Sequence, residues 1–248
     1  MKSILVLCFI IVSSTFAKPI KLAVAANVSY AIQDLKSAFL YEYPKEKINI
    51  TISSSGKLTA QIQHGAPYDI FLSANMKYPQ ALFEQNLTLQ KPIIYGKGTL
   101  ALLSVKNRDF SQKINILTEQ EIKRIAIANP KLAPYGDAAI QALKKENIFN
   151  RVKKKFVYGE SIGQTLSFTL QAADIGVVAT SLLKSEKMKM YKENKNWIQI
   201  DTSLYTPISQ GMVLLKKSSK NAKLFFDFLQ TKKAKEILKQ YGYEVNDD

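Results

Sequence analysis

Cysteine is almost missing from this 248-residue chain: the only one is Cys8, inside an apolar run near the start. A single thiol closes no internal disulfide and builds no thiolate metal site. Histidine is equally scarce, with His64 alone. A serine nucleophile needs a base to take its proton, most often a histidine held by a carboxylate. His64 follows Ser55 at the far end of the same predicted helix, so it is expected at the surface, and no Gly-x-Ser-x-Gly turn is present. Only three of the 35 basic residues are arginines, Arg108, Arg124 and Arg151. The side chain that reads base edges by paired hydrogen bonds is therefore rare. No apolar run approaches the roughly 20 residues that a membrane-spanning helix requires. His/Cys/Asp clusters at metal-ligand spacing are also lacking.

What is present begins with an N-terminal pattern of Met1-Lys2, an apolar run from Ile4 to Val12, and Ser13-Ser14-Thr15-Phe16-Ala17. This is the layout of a secretory signal peptide cut after Ala17, so residues 1–17 are expected to be removed and the mature chain to be periplasmic. Leu7 before Cys8 is bulky where lipoprotein cleavage wants a small residue. The mature chain would then hold no cysteine and stabilise itself by packing. Lysine excess gives a net charge of +15, which falls to +14 without Lys2. The lysines are dispersed over many segments, as on a solvated surface, and nucleic acid is not an expected partner. A positive field of this kind attracts small anions.

Short apolar runs alternate with amphipathic segments along the chain. Strands are expected at Lys21–Ala25, Ile48–Ile52, Asp69–Ser73, Thr99–Val105, Ile125–Ala128, Lys155–Tyr158, Ile175–Ala179, Trp197–Ile200 and Ile208–Leu215. Helical periodicity follows Asn27 (Ile32, Leu35, Phe39), Gly56 (Leu58, Ile62), Pro134-Tyr135-Gly136 and Glu160-Ser161, and returns from Ala222 to Gln240. Thr118-Glu119-Gln120-Glu121 has the spacing of a capping box. Such alternation predicts an α/β fold with parallel sheets covered by helices. Ligands bind such sheets beyond the carboxyl ends of the strands.

The turns at those ends are Ala26-Asn27, Ser54-Ser55-Gly56, Pro134-Tyr135-Gly136 and Glu160-Ser161-Ile162. Gly96-Lys97-Gly98-Thr99 is no phosphate loop, because it precedes a strand and lacks the full spacing. The first N–H groups of a helix have no partner inside it and carry partial positive charge. Small hydroxyl and amide side chains beside them add neutral donors. Several such starts converging would bind a compact oxyanion. The same residues also serve as ordinary helix caps, so Asn27, Ser55 and Ser161 admit both readings here.

Ala23-Val24-Ala25-Ala26-Asn27-Val28 with Ala31-Ile32-Gln33-Asp34-Leu35 resembles the first strand and helix of periplasmic molybdate-binding proteins. So does Ser54-Ser55-Gly56 with Leu58, Gln61-Ile62 and Gly65-Ala66-Pro67-Tyr68-Asp69-Ile70-Phe71-Leu72-Ser73-Ala74. Asn129-Pro130, Pro134-Tyr135-Gly136, Gly176-Val177-Val178 and Tyr241-Gly242-Tyr243 continue the likeness over the mature chain. The resemblance implies a two-lobed periplasmic binding protein of type II. Each lobe would be a mostly parallel sheet flanked by helices, with the ligand in the cleft between lobes. It implies a first lobe of residues 18–97 and 205–248 and a second lobe of residues 98–204.

It also implies molybdate or tungstate as ligand, no cofactor, no catalysis, a monomer, and the membrane permease of an ATP-driven importer as partner. Another tetrahedral oxyanion such as sulfate or phosphate is the alternative ligand, and a serine-dependent hydrolase a remote one. The ligand positions carried over are Asn27 (backbone and side-chain donors), Ser55 (backbone N–H and hydroxyl), Tyr135 (backbone N–H, and in some members a hydroxyl) and Ile162 (backbone N–H). Ser54 is expected to support its turn. Some members place a ligand tyrosine where this chain has Ala179, and Tyr135 is expected to supply that hydroxyl.

Overall fold

The structure is a computed structural model that describes residues 18–246. The signal-peptide reading of residues 1–17 lies outside the described residues. The chain begins with β1 (Ile20–Ala25), a 3-10 turn at Ala26–Val28, α1 (Ala31–Glu42), β2 (Ile48–Ser53), α2 (Ser55–Gln63), β3 (Ile70–Ser73) and α3 (Lys77–Glu84). It continues through β4 (Ile93–Gly98), β5 (Leu100–Leu103), β6 (Ile125–Ala128), α4 (Pro134–Lys145), α5 (Phe149–Val152), β7 (Phe156–Gly159) and α6 (Ile162–Gln171). β8 (Ile175–Ala179), α7 (Thr180–Leu183), β9 (Trp197–Gln199), β10 (Ile208–Leu214), α8 (Ala222–Phe228) and α9 (Lys232–Gln240) complete it.

The strands form two five-stranded sheets, in the orders β2-β1-β3-β10-β4 and β7-β6-β8-β5-β9. In the first, β1 pairs parallel with β2 and β3, while β10 runs antiparallel to both β3 and β4. In the second, β6 pairs parallel with β7 and β8, while β5 runs antiparallel to both β8 and β9. Each sheet therefore has one reversed strand. Both reversed strands, β5 and β10, are the ones that enter their sheet directly from the other sheet. The chain crosses between Gly98 and Leu100 and returns between Gln199 and Ile208, so two crossings join two α/β lobes.

Residue choice explains these elements. Every position of β3, β6 and β8 is buried, as expected of central strands covered on both faces. α1 turns Ile32, Leu35 and Phe39 into the first-lobe core, where Phe39 meets the Phe225 and Phe228 rings edge-on at 5.0 and 5.5 Å. The Ala222–Gln240 stretch is two helices, because Thr231 starts a new one by accepting the Ala234 N–H at 3.3 Å. The capping-box spacing at Thr118 starts no helix. Thr118 ends a 3-10 segment (Lys113–Thr118), and Glu119 is already extended. No apolar stripe of helical period follows it before β6.

Candidate functional site

The four turns singled out by spacing all lie beyond carboxyl ends of parallel strands: Asn27 after β1, Ser55 after β2, Tyr135 after β6 and Ile162 after β7. Two come from each lobe. All four residues are at most 3% exposed. Ser55, Tyr135 and Ile162 lie in the first turns of α2, α4 and α6, where backbone N–H groups lack intrahelical acceptors.

The lobes touch across this region. The Gly56 N–H donates to the Leu132 carbonyl at 3.0 Å, and Lys57 pairs with Glu160 at 2.5 Å at the exposed mouth. A Cβ added to Gly163 would lie 3.3 Å from the Ala26 methyl, which brings the start of α6 against the end of β1. Ala25, Ala26 and Ala74 of the first lobe share one buried cluster with Tyr135 and Ile162 of the second. The structure thus places all four positions at or beside the contact between the lobes.

The cap reading is now separable residue by residue. Ser161 is a cap: its Oγ accepts the Gln164 N–H at 3.2 Å. Ser55 is not, because its Oγ accepts the Ala74 N–H at 2.9 Å, which leaves its own proton free to donate. Asn27 is not a cap either; it sits in the 3-10 turn, ahead of α1. Its Nδ2 donates to Gln210 Oε1 and to the Tyr243 hydroxyl, each at 2.8 Å. Gln210 Nε2 in turn donates to the Ile208 carbonyl at 2.8 Å, and that acceptor fixes which way both amides face. Both Asn27 side-chain hydrogens are consequently used inside the protein. The expected side-chain donation from Asn27 is not what the structure shows; its backbone N–H is the donor that remains.

Three buried side-chain atoms here, Asn27 Oδ1, Ser54 Oγ and Tyr135 Oη, have no hydrogen-bond partner. Buried polar atoms are rarely left in that state. Ser54 departs from its expected part as turn support, since it occupies the cap position of α2 without making a cap bond. Tyr135 Oη reaches the crossing strand, where a Cβ on Gly98 would stand only 2.0 Å from it. Burial, reinforced by the neighbouring Tyr243 and Tyr95 hydroxyls, holds the Tyr135 phenol well above its usual pKa. Burial does the same for Tyr243. These groups are protonated, neutral donors at any ordinary pH. His64 is exposed, with Nδ1 2.7 Å from the Ala60 carbonyl.

Ser181, Gln210 and Tyr243 are the residues around the site that residue-type reasoning missed. Tyr243 stood in the Tyr-Gly-Tyr motif, but nothing local marks its hydroxyl as reaching Asn27. Ser181 follows Ala179, the position where a ligand tyrosine was lacking.

Two α/β lobes that meet at the starts of their helices have the architecture of a solute receptor. Residues 20–244 match the family model described as bacterial extracellular solute-binding protein, and the chain belongs to that class. Within it, the relatives are specific. The molybdate-binding protein ModA of Azotobacter vinelandii is 34% identical over 236 residues, 92% of this chain and 90% of that protein. The ModA protein of Rhodobacter capsulatus is 33% identical over 225 residues, 89% of this chain and 86% of that one. The solved Azotobacter vinelandii periplasmic molybdate-binding protein superposes with a TM-score of 0.86 at 30% identity, covering 92% of this chain and 100% of that one. This chain is a member of the periplasmic molybdate-binding protein family.

Proposed function

We propose that this protein binds molybdate, and tungstate equally in kind, in the periplasm and delivers it to the membrane permease of an ATP-driven importer. The ligand residues in this reading are Asn27, Ser55, Tyr135 and Ile162. The first three named donors are the Asn27 backbone N–H, the Ser55 backbone N–H with its hydroxyl, and the Tyr135 backbone N–H with its hydroxyl; Ile162 gives its backbone N–H. Residues 18–97 with 205–248 and residues 98–204 would move as the two lobes, and the protein would work as a monomer without catalysis.

The observation that carries this reading is the buried Tyr135 hydroxyl, left without a partner on a residue in the first turn of a helix at the lobe contact. A doubly charged tetrahedral oxyanion would supply the missing acceptor. Hydrogen bonds to a charged partner contribute roughly 1.5–3 kcal/mol each, and a cleft shut to water strengthens them. The four proposed residues include no lysine or arginine, so recognition rests on neutral dipoles. Sulfate carries the same charge as molybdate and is smaller. Only donor spacing rejects it, at about 1–3 kcal/mol for each donor left unpaired.

Isothermal titration of the protein with molybdate, tungstate, sulfate and phosphate tests the proposal. Molybdate and tungstate are expected to bind far more tightly than the other two. Sulfate binding as tight as molybdate would overturn it.

A further inference from the structure

The Asn27 carbonyl is the meeting point of two buried hydroxyl contacts that the ligand reading leaves unexplained. Ser181 Oγ donates to it at 2.8 Å, and the Tyr243 hydroxyl lies 3.1 Å from it. The same Tyr243 hydroxyl lies 3.1 Å from Ser181 Oγ and accepts from Asn27 Nδ2 at 2.8 Å. Proton accounting closes the ring. The Ser181 proton goes to the Asn27 carbonyl, the Tyr243 proton goes to Ser181 Oγ or to that carbonyl, and Asn27 Nδ2 fills the Tyr243 lone pair.

The members of this ring have different origins. Asn27 follows β1 of the first sheet, and Tyr243 belongs to the C-terminal segment whose neighbour Glu244 bridges to Lys97 of β4. Their mutual contacts lie within one lobe, so separating the lobes would leave them in place. Ser181 is in α7, directly after β8 of the second sheet. Its two bonds run from the second lobe to the first and are buried, so separating the lobes would break them. They land on the residue whose backbone N–H faces the proposed ligand.

We infer that Ser181 is a positioning residue that couples lobe closure to the Asn27 turn: its hydroxyl locks that turn from the opposite lobe in the closed, loaded form. This rests on the proposed oxyanion-receptor reading. Ser181 touches Asn27 and Tyr243; it acts on the ligand through Asn27. The lock forms after capture, so it governs how long the ligand stays.

The test is Ser181→Ala, with Ser185→Ala as control, since Ser185 Oγ donates at 2.9 Å to the Leu182 carbonyl within its own lobe. Stopped-flow association and dissociation with sodium molybdate is followed, together with thermal melting of the ligand-free protein. Ser181→Ala is expected to dissociate about five- to fiftyfold faster, the range a buried hydrogen bond supports. Its association rate is expected to stay within about twofold of wild type, as most changes at one interface fall on the off-rate. Its ligand-free melting is expected to match wild type, because the open form does not contain the lock. Ser185→Ala is expected to leave both rates alone. An unchanged dissociation rate in Ser181→Ala overturns the inference, and so does a loss matched by equal ligand-free destabilisation, which marks a general packing role. Wild-type protein that binds no molybdate overturns the receptor reading instead, so the two failures are distinct.

Discussion

The Ser55 hydroxyl and the Ala74 peptide nitrogen, 19 positions apart in sequence, are joined by a 2.9 Å hydrogen bond in which the serine accepts. That bond orients the hydroxyl by its lone pair and leaves its proton for the cleft. Ser55→Ala therefore removes two things at once. Molybdate binding is expected to weaken by about 1.5–3 kcal/mol, as for a lost donor to a charged partner. The ligand-free protein is expected to lose about 1–3 kcal/mol because the Ala74 N–H is orphaned. Titration calorimetry and thermal melting read the two effects separately.

Tyr135 is expected to behave differently. Its hydroxyl is buried without a well-formed hydrogen bond to the protein, with the Ser181 and Tyr243 hydroxyls as its polar neighbours, so Tyr135→Phe removes little that the ligand-free fold uses. Ligand-free stability is expected to stay level or rise slightly, while molybdate affinity falls by about 1–3 kcal/mol. Gly98→Ala should reproduce the loss of binding with the tyrosine retained, because the new methyl would stand 2.0 Å from Tyr135 Oη and force it to shift. Overpacking of this kind costs about 1–3 kcal/mol of stability as well. Unchanged affinity in both variants would remove the Tyr135 hydroxyl from the ligand shell.

The buried phenols set an alkaline limit. Tyr95, Tyr135 and Tyr243 all have their ionisation pushed upward, chiefly by burial. In the unfolded chain each loses its proton near the usual value of 10.0, while in the fold it keeps it. Above that pH the unfolded state binds fewer protons than the native state, so stability falls as pH rises. Stability contributed by these groups is expected to be complete below pH 10 and to decline above it. Urea unfolding across pH 8–11 measures this, and replacing Tyr95 by Phe should flatten the decline.

Trp197, the only tryptophan, offers an internal reporter. The Lys184 ammonium stands over its ring at 5.0 Å from the centroid. The Lys184 stem in turn lies 3.6 Å from where a Cβ on Gly242 would be, in the first-lobe tail. Closure is therefore expected to move a cation over the indole and give a saturable change in intrinsic fluorescence on adding molybdate. Lys184→Met should blunt the amplitude and spare the affinity. A full-amplitude signal in that variant would reject this origin.

Local chemistry explains which features were legible in the sequence. Ile125–Ala128 and Ile175–Ala179 read as strands at their true bounds because both faces are buried, so every residue is apolar or small. Thr118 misled because a capping box is only a start signal and needs an apolar period behind it. Asn27 and Ser161 looked alike as polar residues before helices, yet only Ser161 caps. The difference lies in Gln210 and Tyr243, 183 and 216 positions from Asn27. Hydrogen bonds of that span leave no trace in spacing or composition. The Ser54 hydroxyl was hidden for the opposite reason. It stands at the cap position of α2, but a missing cap bond is visible only in three dimensions.

The small residues at the lobe contact have a mechanical consequence. Ala25, Ala26 and Ala74 present single methyl groups to the second lobe, and burying one such group contributes only about 0.8 kcal/mol. Apart from Tyr30, which also packs against that cluster, jaws faced with methyls have little tack of their own. In the proposed reading they would hold shut while an anion draws donors inward from both sides, and little apolar adhesion would oppose their parting once it leaves. A leucine-lined seam would grip by itself and make unloading slow. Weak intrinsic adhesion suits a receptor that binds its solute reversibly.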